Sequence, residues 1–150
     1  MKKIAMVTVI ILLITVIILI KCAPNEKKNA ARDLKALAKS VQNESRAGTL
    51  LYLDPEYRDS TGLVYPDLVS LLIGFYADAD SIHVSLSDFK VFIDSIRGKQ
   101  VWARCSLAVK IWAKFGPDQA LVFGGVIKGA PVMAYLRKNG ETYKVYSAQY

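Results

Sequence analysis

Residues 130–150 read APVMAYLRKNGETYKVYSAQY. Apolar and polar side chains alternate on both sides of Asn139-Gly140, a pair that readily adopts the positive φ a tight hairpin needs. The stretch therefore predicts two antiparallel strands joined by a two-residue turn. Such a hairpin is marginal alone and needs a sheet to sit on. The chain supplies one immediately upstream. QVWARCSLAVKIWAKF (100–115) is the longest strand pattern present, with Val101, Ala103, Cys105, Leu107, Val109, Ile111 and Ala113 on one face. Trp102, Arg104, Ser106, Ala108, Lys110, Trp112 and Lys114 take the other. GPDQ (116–119) reads as a turn, and ALVFGGVIKG (120–129) as a strand whose Gly124 and Gly125 predict a bulge or bend. In SIHVSLSDFKVFIDS (81–95), Ile82, Val84 and Leu86 alternate with polar residues, then Phe89, Val91 and Ile93 do so. Asp88 between the two runs reads as a turn residue, and RGK (97–99) as a second turn.

Before Asp80 the period is helical. EKKNAARDLKALAKSVQNES (26–45) places Ala30, Leu34, Leu37, Ala38 and Val41 at three- and four-residue spacing, and Gly48 is the expected stop. A short apolar turn, TLLYL, leads into a structured loop, DPEYRDSTGLVYPDL (54–68). A second helix starts near Pro66, with Leu68, Leu71, Leu72, Phe75 and Tyr76 on its apolar side and Gly74 as a weak point. Helices segregated ahead of an antiparallel meander predict an α+β fold, the sheet curling over the helices.

The N-terminus is different in kind. Ile4 to Ile20 is an almost unbroken apolar run after Met-Lys-Lys, and as a helix it would be roughly 25 Å long, at the short end of a bilayer span. It is longer than the core of a cleavable signal and has no obvious small-residue cleavage site. The reading is a retained transmembrane anchor or signal over 1–22, a linker over 23–29 and a domain over 30–150. Lys2 and Lys3 mark a cytoplasmic start, but the far flank is at least as basic (Lys21, Lys27, Lys28, Arg32). The short leading tail suits a signal-anchor with the domain exported. Leu19-Ile20-Lys21-Cys22 also resembles a lipoprotein signal with acylated Cys22, against which stands Lys21 where a small residue belongs. The basic flank, part of a net charge of +7, suits anionic headgroups, and no aromatic-interleaved basic motif calls for nucleic acid. Cys22 and Cys105 are the only cysteines and His83 the only histidine, so neither a disulfide framework nor a metal site is expected. No cofactor motif is present.

Helices, a loop and long strands closing on Leu136, Lys138, Gly140, Tyr143, Lys144 and Val145 resemble the nuclear transport factor 2-like superfamily, with Tyr143 where tryptophan is more usual. LYLDPEYRDSTG (51–62) resembles that superfamily's segment between helices. The resemblance covers roughly 27–150 and is nearest to uncharacterised bacterial members with an N-terminal anchor. It implies a cystatin-like α+β cone enclosing a pocket, in which some members do isomerase or cyclase chemistry while others bind or assemble. Dimers through the sheet are common among them. The expectation is a single-pass inner-membrane protein with a periplasmic domain that binds a partner protein or a small apolar ligand. The alternatives are an enzyme and a lipid-anchored protein.

An enzyme would need a pocket acid or base with a donor beside it. Asp59, His83, Asp88 and Asp94 are the titratable candidates, with Asp59 and His83 first, and Tyr57, Tyr65 and Tyr76 are the candidate donors. Asp59 also suits a turn-capping role in its loop, and His83 has no acid partner nearby in sequence. Tyr57, Trp102, Arg104 and Trp112 are the candidate ligand or partner contacts. The two tryptophans share one strand face, which is either the pocket wall or an outer partner surface.

Overall fold

The computed structural model describes residues 25–150. The apolar run and Cys22 lie outside the described residues, and among those described no helix is long and apolar enough to cross a membrane. Helix α1 (25–42) buries Ala30 and Leu34 and packs Leu37 and Val41 beside them, as the spacing predicts. It stops before Gly48. Asn43 and Glu44 turn the chain, Glu44 at φ 53°, and Ser45 caps a separate helix α2 (Arg46–Leu51) by accepting from the Gly48 amide at 3.2 Å. Gly48 is not a stop signal but a contact point: a Cβ there would lie 2.8 Å from Ser40 Oγ of α1. Helix α3 (Tyr65–Asp78) carries Pro66 in its first turn, where a missing N–H costs nothing. Leu68, Leu72, Phe75 and Tyr76 pack inward, whereas Leu71, expected with them, is 60% exposed. The inward stripe is one residue narrower than the full apolar set.

Five antiparallel strands follow: β1 (Ser81–Arg97), β2 (Gln100–Phe115), β3 (Asp118–Phe123), β4 (Ala130–Asn139) and β5 (Tyr143–Gln149). Their order is β1-β2-β4-β5, and β3 pairs with the far half of β2. Asp88 does not end a strand. Ser87 pairs with Ala108 and Lys90 with Ser106, so Asp88 and Phe89 together oppose one residue. This is a β-bulge, with Asp88 at φ 56°. It explains why the inward set changes from even to odd numbers: Leu86 and Phe89 both face the core despite odd spacing. A second irregularity between Ile93 and Ser95 gives β1 two points at which to curve.

The terminal hairpin forms, but its connection is longer than two residues. Lys138 pairs with Tyr143, leaving Asn139 to Thr142 as the link, with Gly140 supplying the positive φ. The stretch after Phe123 also departs from the sequence reading. It leaves the sheet at Gly124 and returns at Ala130, because the register of β3 and that of β4 reach β2 from opposite ends and meet near Val109.

The edge of β5 is covered by residues 52–60. Asp54, Arg58 and Ser60 donate backbone N–H groups to the carbonyls of Val145, Tyr146 and Ala148, and Val145 donates to Tyr52. The loop between α2 and α3 therefore acts as a loosely attached extra strand, which removes an exposed edge. The core lies between helices and sheet, with Ala103, Cys105, Leu136 and Tyr143 at most 1% exposed.

Candidate functional site

Two concavities matter, one on each face of the sheet. The inner one lies between the helices and the concave face, about 230 Å³ in volume. Leu37 and Val41 of α1, Leu68 of α3, Leu107 and Ile111 of β2, and Val132 of β4 line it, with Tyr57 from the covering loop. Alternation on β2 and β4 makes this wall apolar. Tyr57 brings the one side-chain hydroxyl to the lining. Burial, with the nearby Asp59 charge adding, pushes that hydroxyl far above the ordinary tyrosine range, so it stays protonated and can donate.

None of the four titratable candidates lines this pocket. Asp59 is buried in its own loop, where Oδ1 accepts from the Thr61 amide, the Thr61 hydroxyl and the Leu63 amide at 2.8 to 2.9 Å. Its Oδ2 accepts from the Tyr150 hydroxyl at 2.6 Å. Burial alone would raise its pKa, but these hydrogen bonds outweigh it and hold the carboxyl below the ordinary range. A carboxylate so engaged is a poor proton acceptor. His83 is exposed on the opposite face, paired in register with Trp112, and Asp94 holds Arg104 at 2.8 Å on that same outer face. Tyr76 bonds the Thr49 hydroxyl at 2.8 Å, and Tyr65 packs against the core.

Asp59 thereby ties Tyr150 to the covering loop, with a pH signature. Its folded pKa lies below its unfolded value, so its contribution is present above the ordinary carboxylate range and lost as pH falls through the folded pKa. Asp59→Asn is expected to cost about 1–2 kcal/mol at pH 7. In melts at decreasing pH, the gap between parent and variant should close once the pH has fallen below the ordinary carboxylate range and through the lowered Asp59 pKa. A gap that persists undiminished in acid would mean that the carboxylate charge is not what holds Tyr150.

Trp102, Arg104 and Trp112 stand on the outer face, not in the pocket. Four cations there lie over rings: Arg97 on Trp102, Arg104 on Phe92, Lys110 on Trp112 and Arg137 on Tyr146, at 5.4 to 6.0 Å. At the hairpin end of this face is the second concavity, an open cleft of about 550 Å³. Gln100, Trp102, Arg137, Asn139 and Lys144 of the sheet and Asp54, Pro55 and Glu56 of the covering loop line it. Arg137 fixes the loop there. Its Nε and Nη2 donate to Asp54 at 3.1 and 2.8 Å, and Nη2 also meets Glu56 at 2.6 Å.

The sequence alone does not single out Asp33, Asp54, Glu26 or Arg137 as site residues, and it marks Lys138 only as part of the terminal hairpin pattern. Asp33 and Asp54 are buried carboxylates: Asp33 accepts from the Tyr143 amide at 2.9 Å, and Asp54 takes Arg137. A charge beside Leu34 on the buried stripe of α1 was the available signal for Asp33. Asp54, ahead of Pro55, reads locally as a turn former, and its Oδ1 does accept from the Glu56 amide at 2.9 Å, but its ionic partner Arg137 is far along the chain. Among the described residues no group of His, Cys, Asp and Glu could hold a metal ion. Burial pushes the Cys105 thiol up to about 11.

No family model matches the sequence, and no curated protein does. Solved structures do. A point variant of the helical cell shape determining protein Pgp2 from Campylobacter jejuni aligns with a TM-score of 0.62 at 13% identity, over 78% of this chain and 38% of its own. Bd1075 from Bdellovibrio bacteriovorus aligns at 0.57 and 13%, over 81% of this chain and 38% of its own. A protein from Streptomyces avermitilis, described as a proposed dehydratase of the NTF2-like family, aligns at 0.56 and 16%, over 84% and 94%. The fold is nuclear transport factor 2-like. At these identities the likeness is one of fold, and this chain spans little more than a third of the first two proteins.

Proposed function

We propose that this protein is a non-enzymatic, membrane-tethered envelope domain whose inner pocket binds a small apolar ligand carrying one hydrogen-bonding group. The observation behind the reading is the pocket lining: aliphatic walls, one protonated hydroxyl on Tyr57, and no carboxylate or imidazole. Its volume of about 230 Å³ exceeds the roughly 150 Å³ that takes up benzene in an engineered cavity, so a substituted ring or a short acyl chain is the matching size. An isomerase or cyclase mechanism through Asp59 or His83 would need one of them to turn into this space. Tethering rests on the Ile4–Ile20 run and its flanking lysines, which suit a single-pass inner-membrane protein with a periplasmic domain. Acylation of Cys22 is the alternative anchor. The likeness in fold to a cell shape determining protein is in keeping with envelope work.

The outer face supports a second reading. Exposed Phe92, with Arg104, Trp102 and Trp112 on the same face, has the aromatic and arginine content of a protein contact surface, for a partner or a second copy.

The pocket reading is tested by titrating the full chain in lipid nanodiscs with p-cresol, subtracting empty nanodiscs. Saturable binding is expected, weakened about fivefold by Tyr57→Phe through the lost hydrogen bond and abolished by Leu107→Phe, which fills the pocket. Asp59→Asn should leave binding unchanged. Binding that survives Leu107→Phe would remove the pocket from consideration.

A further inference from the structure

The outer cleft is built differently from the inner pocket, and its chemistry selects a different ligand. Its formal charges sum to zero: Arg137 engages both Asp54 and Glu56, and Lys144 brings the second positive charge to the lining. An ion gains little from such a lining, and an apolar molecule would strip water from it without return. Apart from Lys144, what stands free is uncharged. Gln100 and Asn139 face each other across β2 and β4, and among the described residues neither side-chain amide has a hydrogen-bond partner. Each amide both donates and accepts, as a hydroxyl does. One rung further in, Trp102 pairs with Arg137, and its ring forms the apolar part of the wall. Arg97 lies over that ring, its guanidinium carbon 5.9 Å from the centroid.

We infer that this cleft is a saccharide-binding site for a neutral pyranose. A pyranose ring has an apolar C–H face and a rim of hydroxyls. The face would lie on Trp102, and the rim would meet Gln100, Asn139 and the outer oxygen of Glu56. Pro55 and the Arg137-anchored loop close one side, and the volume of about 550 Å³ has room for more than one ring. The site is independent of the inner pocket, since the two lie on opposite faces of the sheet and share no lining residue.

The chain has two tryptophans, so Trp112→Phe makes Trp102 the sole indole reporter. This variant of the full chain, in nanodiscs without sugar-headed detergent, is titrated with chitotriose and, separately, with maltotriose. A saturable change in Trp102 emission is expected with at least one of them. Gln100→Ala and Asn139→Ala should each weaken it about tenfold. By calorimetry, Trp102→Ala in the parent chain should abolish binding, while Leu107→Phe, which fills the inner pocket, should leave it intact. Lack of response to either trimer at millimolar concentration overturns the proposal. So does tighter binding of trigalacturonate, which would make the site an anion site, or binding insensitive to the two amide variants.

Discussion

Tyr143→Ala is expected to lower stability by about 4–5 kcal/mol, the largest loss from any single side chain in the domain. Tyr143 is 1% exposed and sits where α1 meets the start of β5. Its ring fills the end of the core, its hydroxyl donates to Glu26 at 2.7 Å, and its backbone N–H donates to buried Asp33 at 2.9 Å. Lys138 closes the group, with Nζ at 2.9 and 3.1 Å from the two Glu26 oxygens. Truncation opens a cavity and withdraws a partner from Glu26 together. Burial would raise the Glu26 pKa, but the bonds from Tyr143 and Lys138 keep it low, so the cluster matters at neutral pH and loosens in acid. Tyr143→Phe separates the parts. It keeps the ring and loses the hydrogen bond, for an expected cost of about 1–2 kcal/mol. Thermal melts of the two variants measure both, at about 4 °C per kcal/mol for a domain this size. Equal melting points for Ala and Phe would show that the ring contributes no packing.

Gly124→Ala is expected to cost about 3 kcal/mol, although the site is a loop beside exposed residues. Gly124 has φ +95°, a conformation that L side chains rarely adopt, and a Cβ there would lie 2.6 Å from the Val109 carbonyl oxygen of β2. Backbone cannot yield as a side-chain tip can, so the loop between β3 and β4 must move or β2 must bend. A comparison with Gly62→Ala divides the two effects, because Gly62 shares the positive φ (+92°) but has nothing within 4 Å of its added Cβ. Denaturant midpoints should fall by clearly more for Gly124→Ala than for Gly62→Ala. Equal shifts would mean that φ strain alone acts and the contact with β2 does not.

Most elements were legible because their signal is local. The stripe Ala30, Leu34, Leu37 and Val41 marks α1, and the alternation through Val101 to Ala113 marks β2, since each period is a property of consecutive residues. The errors fall where two parts of the chain negotiate. Gly48 looked like a stop because glycine usually is one, but its smallness is used against Ser40. Asp88 looked like a turn because a polar residue broke the alternation, but strand pairing on both sides of it continues and absorbs it as a bulge. ALVFGGVIKG reads as one strand with a bend at Gly124 and Gly125; the chain does bend there, but beyond the bend Val126 and Ile127 project outward instead of pairing, Ile127 at 93% exposure.

The sequence by itself determined the α+β order, the apolar face of the sheet and the pairing of Trp102 with Trp112 on the other face. It could not say which side of the sheet the helices cover. That choice is made by burial, and burial of Cys105 and Leu136 under the helices sends both tryptophans outward. The covering loop, too, was only a run of turn residues until its backbone met the edge of β5. Tertiary contact then placed Asp54 on Arg137, more than eighty positions apart, and turned Asp59 toward Tyr150 rather than into the pocket. Hydrogen bonds between distant residues leave no period in the sequence, so the lining of both cavities became visible only when the chain had closed on itself.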